Sequence, residues 1–163
     1  MRVLSFFTIV FFSSITAIAQ TGLGIGVYPT GTEIGIGFRS SKDTRFALDA
    51  RAVRALFNSE KNKTSSFVSE VSVICRVVKL ERVRFNLGVG YRTDWNFVDR
   101  HRHGIALPVG VEAYPFPFQN AGLFFEVAPY FVSDLRTSNN IWGFRAASGF
   151  MFYFPAKNKS SKS

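Results

Sequence analysis

Apolar residues alternate with polar or small residues along most of this chain. The segment RFNLGVGYRTDW, which runs from Arg84 to Trp95, shows the alternation clearly. Every second residue belongs to one of two sets, which we call the two parities of the strand. One parity carries large apolar side chains: Phe85, Leu87, Val89 and Tyr91. The other parity carries polar ones: Arg84, Asn86, Arg92 and Asp94. A period of two is typical of a β-strand with two different faces, whereas a helix would show an apolar stripe with a period of 3.6 residues.

Seven further segments repeat this period, which predicts an all-β fold of eight strands. In chain order the predicted strands cover residues 23–28, 33–39, 46–53, 67–77, 84–95, 105–114, 123–131 and 142–154. Polar or turn-rich connections separate them: SSKD, NSEKNKTSS, KLER, DRHRHG, PFPFQN and SDLRTSNN. The first two strands flank the short Pro29-Thr30-Gly31 connection, so we expect them to form a hairpin.

Glycine and ions of both signs share the polar parity of these strands, which suits a confined interior better than a wet outer face. Its charged residues are Glu33, Asp49, Glu70, Asp94, Glu112 and Glu126, together with Arg39, Arg51, Arg76, Arg84, Arg92 and Arg145. The charges of these six acids and six bases sum to zero. Every base is arginine, whose planar guanidinium can hold several carboxylate or carbonyl partners at once. We therefore predict an ion-pair network of these twelve residues in the lumen.

The apolar parity is then the outer face, and its expected neighbour is lipid. The reverse orientation would place Arg51, Glu112 and Glu126 in hydrocarbon, where one midplane arginine alone costs about 2–4 kcal/mol. Strands of about 9–11 residues, tilted near 45°, span a bilayer, and closure removes unpaired edges. Aromatic residues near strand ends resemble interfacial girdles: Tyr28, Phe38, Trp95, Phe97, Phe131, Trp142 and Phe154. The predicted fold is an eight-stranded antiparallel up-and-down transmembrane β-barrel.

The predicted barrel domain covers residues 20–154, between a signal peptide at 1–19 and a polar basic tail at 155–163. Arg2 precedes an apolar run from Val3 to Phe12, and Ala17-Ile18-Ala19 provides the small residues of a cleavage site. The run is too short for a transmembrane helix. The exported chain would carry 20 − 1 − 11 = +8 charges, located in the connections and the tail. Its one cysteine, Cys75, is interpreted as a small apolar residue.

The chain resembles the small eight-stranded outer-membrane barrels of Gram-negative bacteria, the OmpA/OmpX-type group, and the outer-membrane β-barrel proteins of Bacteroidetes. The resemblance spans Thr21 to Phe154 and is carried mainly by LPVGVEAYPFPFQNAGLFFEVAPYF, Leu107 to Phe131. The closing FMFYF, Phe150 to Phe154, resembles the terminal strand that the barrel insertion machinery recognises. The resemblance implies a monomeric outer-membrane protein in contact with lipids and lipopolysaccharide, with its connections around residues 58–65, 96–104 and 133–140 facing outward.

The only stretch with catalytic potential is DRHRHG, Asp99 to Gly104, which contains both histidines of the chain. His101 and His103, with Asp99 nearby, provide only a weak metal-binding pattern, and a solvated basic loop is the simpler interpretation. We predict no metal, no cofactor and no enzymatic activity. The net positive charge does not indicate nucleic-acid binding, because export and the alternating faces already explain the composition.

Three functional hypotheses follow from this reading of the sequence. The first is a non-enzymatic outer-membrane barrel with a salt-bridged closed lumen and a role in envelope structure or surface interaction. The second is a lipid-modifying outer-membrane enzyme that uses the two histidines. The third is a secreted, soluble, lipocalin-like barrel whose apolar parity lines a ligand cavity.

Overall fold

The computed structural model describes residues 22–29, 33–40, 42–55, 67–96, 100–134 and 140–154. They form nine strands: β1 (Leu23–Pro29), β2 (Glu33–Ser40), β3 (Phe46–Ala55), β4 (Phe67–Lys79), β5 (Val83–Asn96), β6 (Arg100–Ala106), β7 (Val109–Ala113), β8 (Ala121–Asp134) and β9 (Asn140–Phe154). The predicted signal peptide, the C-terminal tail and the connection at 58–65 lie outside the described residues. Within the described part of the chain, no helix is long and apolar enough to cross a membrane.

The strands form one antiparallel sheet that closes into a ring. β1 pairs with both β2 and β9, so that Leu23 lies opposite Ser40 on one side and Phe154 on the other. The remaining pairs run from β2 through β3 and β4 to β5, then through β6 and β7 to β8, and from β8 to β9. The predicted all-β antiparallel architecture and the first hairpin are therefore confirmed. We call the end with the turns at residues 42–45, 80–82 and 114–120 the turn end, and the opposite end the loop end.

The predicted sixth strand consists of two strands, β6 and β7, which lie end to end between β5 and β8. Ala106 of β6 pairs with Gly90, and Val109 of β7 pairs with Leu87, so the register with β5 is the same on both sides of the break. Pro108 interrupts the ladder because proline has no amide hydrogen to donate. Its carbonyl still accepts a hydrogen bond from the Gly88 amide at 2.8 Å.

Strands at the loop end extend further than the sequence predicted. The loop predicted around 96–104 is wrong for residues 100–104, because β6 begins at Arg100 and pairs His103 with Thr93 and Ser133. Similarly, β8 continues to Asp134 and β9 begins at Asn140, within the predicted loop 133–140. The outer face is polar at this level, so the hydrophobic alternation disappears from the sequence while the backbone ladder continues.

The two parities occupy the faces that the sequence predicted for them. On β5, Leu87 and Val89 are 50% and 54% exposed, whereas Arg84 and Arg92 are 6% and 4% exposed. The same alternation of exposed and buried residues runs along β1, β4 and β9. A lipocalin-like carrier needs the apolar parity inside. The third hypothesis therefore conflicts with the structure.

Large inward side chains pack over glycines of neighbouring strands. A methyl group added at Gly37 would lie 2.6 Å from the ring of Tyr28, and one added at Gly143 would lie 2.2 Å from the ring of Tyr130. Both distances are far below van der Waals contact, so only glycine lets these rings lie against the wall. Tyr28 is 1% exposed, inside the ring, and its assignment to an interfacial girdle is therefore wrong.

Candidate functional site

Four ionised side chains meet in the middle of the interior. Arg51 donates to both oxygens of the Glu126 carboxylate, from Nη1 to Oε1 at 2.8 Å and from Nη2 to Oε2 at 3.1 Å. Nη2 of Arg145 donates to Glu126 Oε1 at 2.8 Å and to Glu70 Oε1 at 3.0 Å. Paired contacts of this kind match the planar fork of guanidinium to the carboxylate and fix its orientation. We call these four residues the central cluster.

The central cluster connects opposite walls of the ring. Arg51 lies on β3 and Glu126 lies on β8. Three strand positions separate β3 from β8 in either direction around the ring: β2, β1 and β9 in one direction, and β4, β5 and β6 in the other. The same separation holds between β9, which carries Arg145, and β4, which carries Glu70. Direct hydrogen bonds between strands so placed require that side chains fill the cross-section at this level.

Asp49 extends the network from the central cluster toward the turn end. Its Oδ1 accepts from Arg51 Nε at 2.9 Å, and its Oδ2 accepts from Arg39 Nε at 2.6 Å. The Arg39 guanidinium also lies near the carboxylates of Glu112, at 3.7 Å, and Glu126, at 3.8 Å. Both separations are too long for a hydrogen bond. These two contacts of Arg39 are therefore looser than its pair with Asp49 and than the pairs of the central cluster.

Tyrosine hydroxyls take part in the network, which the sequence analysis did not predict. Tyr28 donates to Asp49 Oδ2 at 3.2 Å, and Tyr153 donates to Glu112 Oε1 at 2.6 Å. The signal was present, because both residues lie on the inward parity of their strands. Tyr114, just beyond β7, accepts from Arg84 Nη1 at 2.9 Å, and burial raises the pKa of its hydroxyl far above the ordinary value.

Arg92 and Asp94 form the loop-side edge of the network. Arg92 Nε donates to Asp94 Oδ1 at 2.9 Å, and its guanidinium lies 4.4 Å from the centroid of the Tyr130 ring. Its Nη1 is 4.0 Å from Glu70 Oε2, which links this edge to the central cluster. Asp134 is also buried on the loop side, at 2% exposure. The sequence analysis missed it by assigning it to a loop.

Two predicted network residues do not join these pairs. Arg76 Nη1 donates to the Thr44 carbonyl at 2.6 Å, and Arg84 Nη1 donates to the Lys42 carbonyl. Both are buried, but they contact the turn between β2 and β3 instead of the central cluster. Glu33 belongs to β2, and its side chain lies outside the described part of the structure.

The two histidines lie on the outer face of β6. The Nδ1 atom of His103 is 3.3 Å from Thr93 Oγ1, and its ring stacks on Tyr91 at a centroid distance of 6.0 Å. His101 contacts the edge of Trp95 at 5.3 Å. The structure does not describe Asp99, the third member of the predicted pattern. Among the described residues, no group of three or more possible metal ligands occurs.

Several acids of the network lie in direct contact with guanidinium groups. Asp49 and Glu126 each accept hydrogen bonds from two arginines. Such pairs do not by themselves stabilise a fold, because desolvation offsets the attraction, but they penalise any arrangement that separates the partners. The interior is therefore suited to fixing strand register and filling space.

Comparisons with known proteins assign no relative to this chain. No family model matches the sequence, and no curated protein or solved structure is significantly similar to it.

Proposed function

We propose that this chain is a non-enzymatic outer-membrane protein of a Gram-negative bacterium: an eight-stranded transmembrane β-barrel with a closed lumen. Its role in this proposal is structural, or the presentation of its loop-end connections at the cell surface. The observation that carries the proposal is the inversion of polarity, with large apolar side chains outside and paired ions inside. Because β6 and β7 share one register, the nine strands fill eight positions around the ring.

The order of residues on the outer face supports a lipid environment. An aromatic-rich row crosses five strands near the loop end: Val71, Tyr91, Ile105, Phe131 and Trp142. The next row toward the loop end is polar: Ser69, Thr93, His103, Ser133 and Asn140. In a transmembrane barrel, the apolar wall, the aromatic girdle and the polar rim follow one another in this order from the membrane interior to the water.

The height of the apolar wall also fits a membrane. On β5 it extends from Val83 to Tyr91, eight steps of about 3.4 Å, or about 27 Å along the strand. With a strand tilt of about 40°, this corresponds to about 21 Å along the barrel axis, near the roughly 25 Å of an outer-membrane apolar band. Exposed aromatics such as Phe46, Phe118 and Phe154 lie near the turn end. They would form the second girdle.

A pore is not part of this proposal. Eight strands leave an interior about wide enough for side chains alone, and the central cluster bridges opposite walls by hydrogen bonds. Opening a water path would require separating Arg51 from Glu126 and Arg145 from Glu70 in a low-dielectric interior. The barrel is therefore expected to be electrically closed.

The partners in this proposal are those of a small monomeric barrel. Outer-membrane lipids would contact the apolar wall, and lipopolysaccharide phosphates would meet the basic loop-end connections through unselective electrostatic attraction. The barrel insertion machinery would recognise the terminal strand, β9, whose last residues alternate Phe150, Phe152 and Phe154 outward.

Two substitutions test the lipid contact directly. Leu87 in the middle of the wall and Leu80 in a turn have similar exposure, 50% and 56%. Leu87→Arg is expected to cost about 2–4 kcal/mol in a bilayer, whereas Leu80→Arg should change little. The measurement is the folded fraction in the outer-membrane fraction, read as the difference in migration between boiled and unboiled electrophoresis samples. Equal behaviour of the two variants, with protein extracted without detergent, would contradict the proposal.

Single-channel recording tests the closed lumen. The purified protein, reconstituted in planar bilayers, is expected to give no steady large openings. Sustained openings of uniform conductance from the unmodified protein would reject the closed-lumen part of the proposal while leaving the membrane location intact.

One contact keeps the lipid-modifying alternative open to experiment. The Thr93 hydroxyl and His103 Nδ1 are 3.3 Å apart on the outer polar row, although Thr93 is only 5% exposed. A nucleophile and base usually need a third group that orients the base, and His103 stacks on Tyr91 on its other side. Lipid A profiles by mass spectrometry should be the same for the native protein and for the His101→Ala/His103→Ala variant. A lipid species lost in the variant would favour the enzyme.

A further inference from the structure

Three cationic side chains converge on one turn at the turn end of the ring. Arg84 donates to the carbonyl of Lys42, Lys79 donates to the carbonyl of Asp43 at 3.3 Å, and Arg76 donates to the carbonyl of Thr44 at 2.6 Å. Successive carbonyls of residues 42–44 thus receive one cation each. Two of the three cations, Arg76 and Arg84, are inside the ring.

Both buried guanidinium groups keep donors without a protein partner. Arg76 is 4% exposed and Arg84 is 6% exposed. Nε and Nη2 of Arg76, and Nε of Arg84, find no hydrogen-bond partner among the described residues. A buried donor on a charged group is costly to leave unpaired, so three such donors in one place indicate that something else satisfies them.

Strand register places these donors in one patch. Arg76 on β4 lies directly opposite Asn86 on β5, and Arg84 lies two residues before Asn86 on the same face. Diagonal neighbours of this kind have Cβ atoms about 7–8 Å apart, within reach of two arginine side chains. Both guanidinium groups also donate to carbonyls of the same turn, so they lie at the same level of the interior.

The charges in this region favour an anion over a trapped water. Arg39, Arg76 and Arg84 face two equally buried carboxylates, Asp49 and Glu112, and Asp49 is shared with Arg51. The other nearby acids are peripheral. Asp43 lies 3.5 Å from Arg84 Nη2 with a side chain that is 66% exposed, and Glu81 is exposed on a turn. Water can satisfy hydrogen bonds, but only an anion also balances buried positive charge.

A cavity of about 20 Å³ at the turn end reaches one of the two guanidinium groups. Arg84 lines it and Arg76 does not; the other lining residues are Lys42, Glu81, Arg82, Tyr114, Phe116 and Gln119. Lys42 and Arg84 also lie over the Tyr114 ring, at 5.9 Å and 4.6 Å from its centroid. A volume near 20 Å³ holds about one water-sized group, so a halide ion can reach the Arg84 guanidinium from this side.

We propose that Arg76 and Arg84 bind one small monovalent inorganic anion, of the size of chloride, at the turn end of the interior. The donors are Nε and Nη2 of Arg76 and Nε of Arg84. The anion enters from the turn end past Lys42. The site depends on the interior alone and holds whether or not the outer face contacts lipid.

Bromide is the crystallographic probe. Crystals of the unmodified full-length protein grown with sodium bromide are expected to give an anomalous peak within hydrogen-bonding distance of both Arg76 Nε and Arg84 Nε. An ordered water at that position, or bromide peaks confined to exposed lysines and turns, would reject the site. This measurement needs no variant, so it stands even if substitutions impair folding.

Stability in matched salts provides the second test. At equal ionic strength, sodium chloride is expected to raise the midpoint of urea unfolding relative to sodium gluconate, whose anion is much larger than a halide, and the shift should saturate with concentration. The shift should disappear in Arg76→Met/Arg84→Met and persist in Arg45→Met, which removes an exposed cation from the same turn. An equal midpoint in both salts, or a shift retained by the double variant, would overturn the proposal.

Discussion

The central cluster and the turn side of the interior are built from the same residue types but differ in how completely their charged groups are paired. In the central cluster, Arg51 and Arg145 share Glu126, and a chain of close contacts continues through Glu70. On the turn side, Arg76 and Arg84 contact mainly backbone carbonyls and a tyrosine hydroxyl. The difference teaches that equal numbers of acids and bases along the strands do not ensure local neutrality.

The distribution of unpartnered atoms shows the same asymmetry. Among the described residues, the central cluster leaves two buried polar atoms without a partner, Glu70 Oε2 and Arg145 Nε. The turn side leaves seven, on Arg39, Arg76, Arg84, Asn86 and Glu112. A complete network resists the loss of any member, whereas an incomplete one tolerates the loss of a surplus cation. The substitutions below test this distinction.

The largest effect is expected from Glu126→Gln. The change removes the carboxylate shared by Arg51 and Arg145, leaving buried guanidinium charge without compensation, and should lower the free energy of unfolding by about 3–5 kcal/mol. Urea unfolding in detergent micelles measures it, with the exposed turn residue Glu81 as the control in Glu81→Gln. Glu112→Gln on the turn side should cost less, because Arg39 keeps Asp49. Equal losses for the two buried variants would abolish the proposed difference between the central cluster and the turn side.

A change that keeps the charge isolates the geometry of the pairs. Arg51→Lys retains a cation but loses the paired contact with Glu126, and is expected to lower the free energy of unfolding by about 1.5–3 kcal/mol. Arg84→Lys on the turn side should cost less than about 1 kcal/mol, because an ammonium group can still donate to a carbonyl or a hydroxyl. The comparison uses the same urea titration. It fails if the two lysine variants are equally destabilised.

The sequence predicted part of this interior, because the alternation along each strand measures only one aspect of the structure. Parity along a strand fixes which side chains point inward, and it placed Arg51, Glu70 and Glu126 correctly. Parity contains no information about height or distance around the ring, which decide that Arg51 meets Glu126 from the opposite wall. Those contacts depend on the number of strands and on their stagger.

The remaining errors have local causes. Asp134 was assigned to a loop because the outer residues beside it are polar, so the alternation that marks a strand was lost. Tyr28 was counted as a girdle residue because its position near a strand end weighed more than its inward parity. The division of the sixth strand at Pro108 follows from the missing amide hydrogen of proline, which the sequence did display.

Arg76→Met tests the turn side, where the free energy of unfolding is not expected to fall as it does for Glu126→Gln. In halide-free gluconate buffer the change removes a buried guanidinium that has two unpartnered nitrogens and one hydrogen bond to Thr44. The lost hydrogen bond, worth about 1 kcal/mol, is offset by relief of the unpaired charge. The free energy of unfolding should therefore stay within about 1 kcal/mol of the native value or rise. A loss as large as that of Glu126→Gln would show that Arg76 is fully compensated.

The smallest effect is expected at the loop-side edge, where burial decreases while the pairing pattern stays the same. Arg51 with Asp49 and Arg92 with Asp94 are both pairs two residues apart on one strand face, at 2.9 Å between Nε and Oδ1. The Asp49 side chain is fully buried, whereas that of Asp94 is 21% exposed. Asp94→Asn should lower the free energy of unfolding by less than about 1 kcal/mol, and sodium gluconate at high concentration should shrink the loss further. Asp49→Asn should cost several times more and depend little on salt. Equal costs, or equal salt dependence, would mean that contact geometry and not burial sets the strength of these pairs.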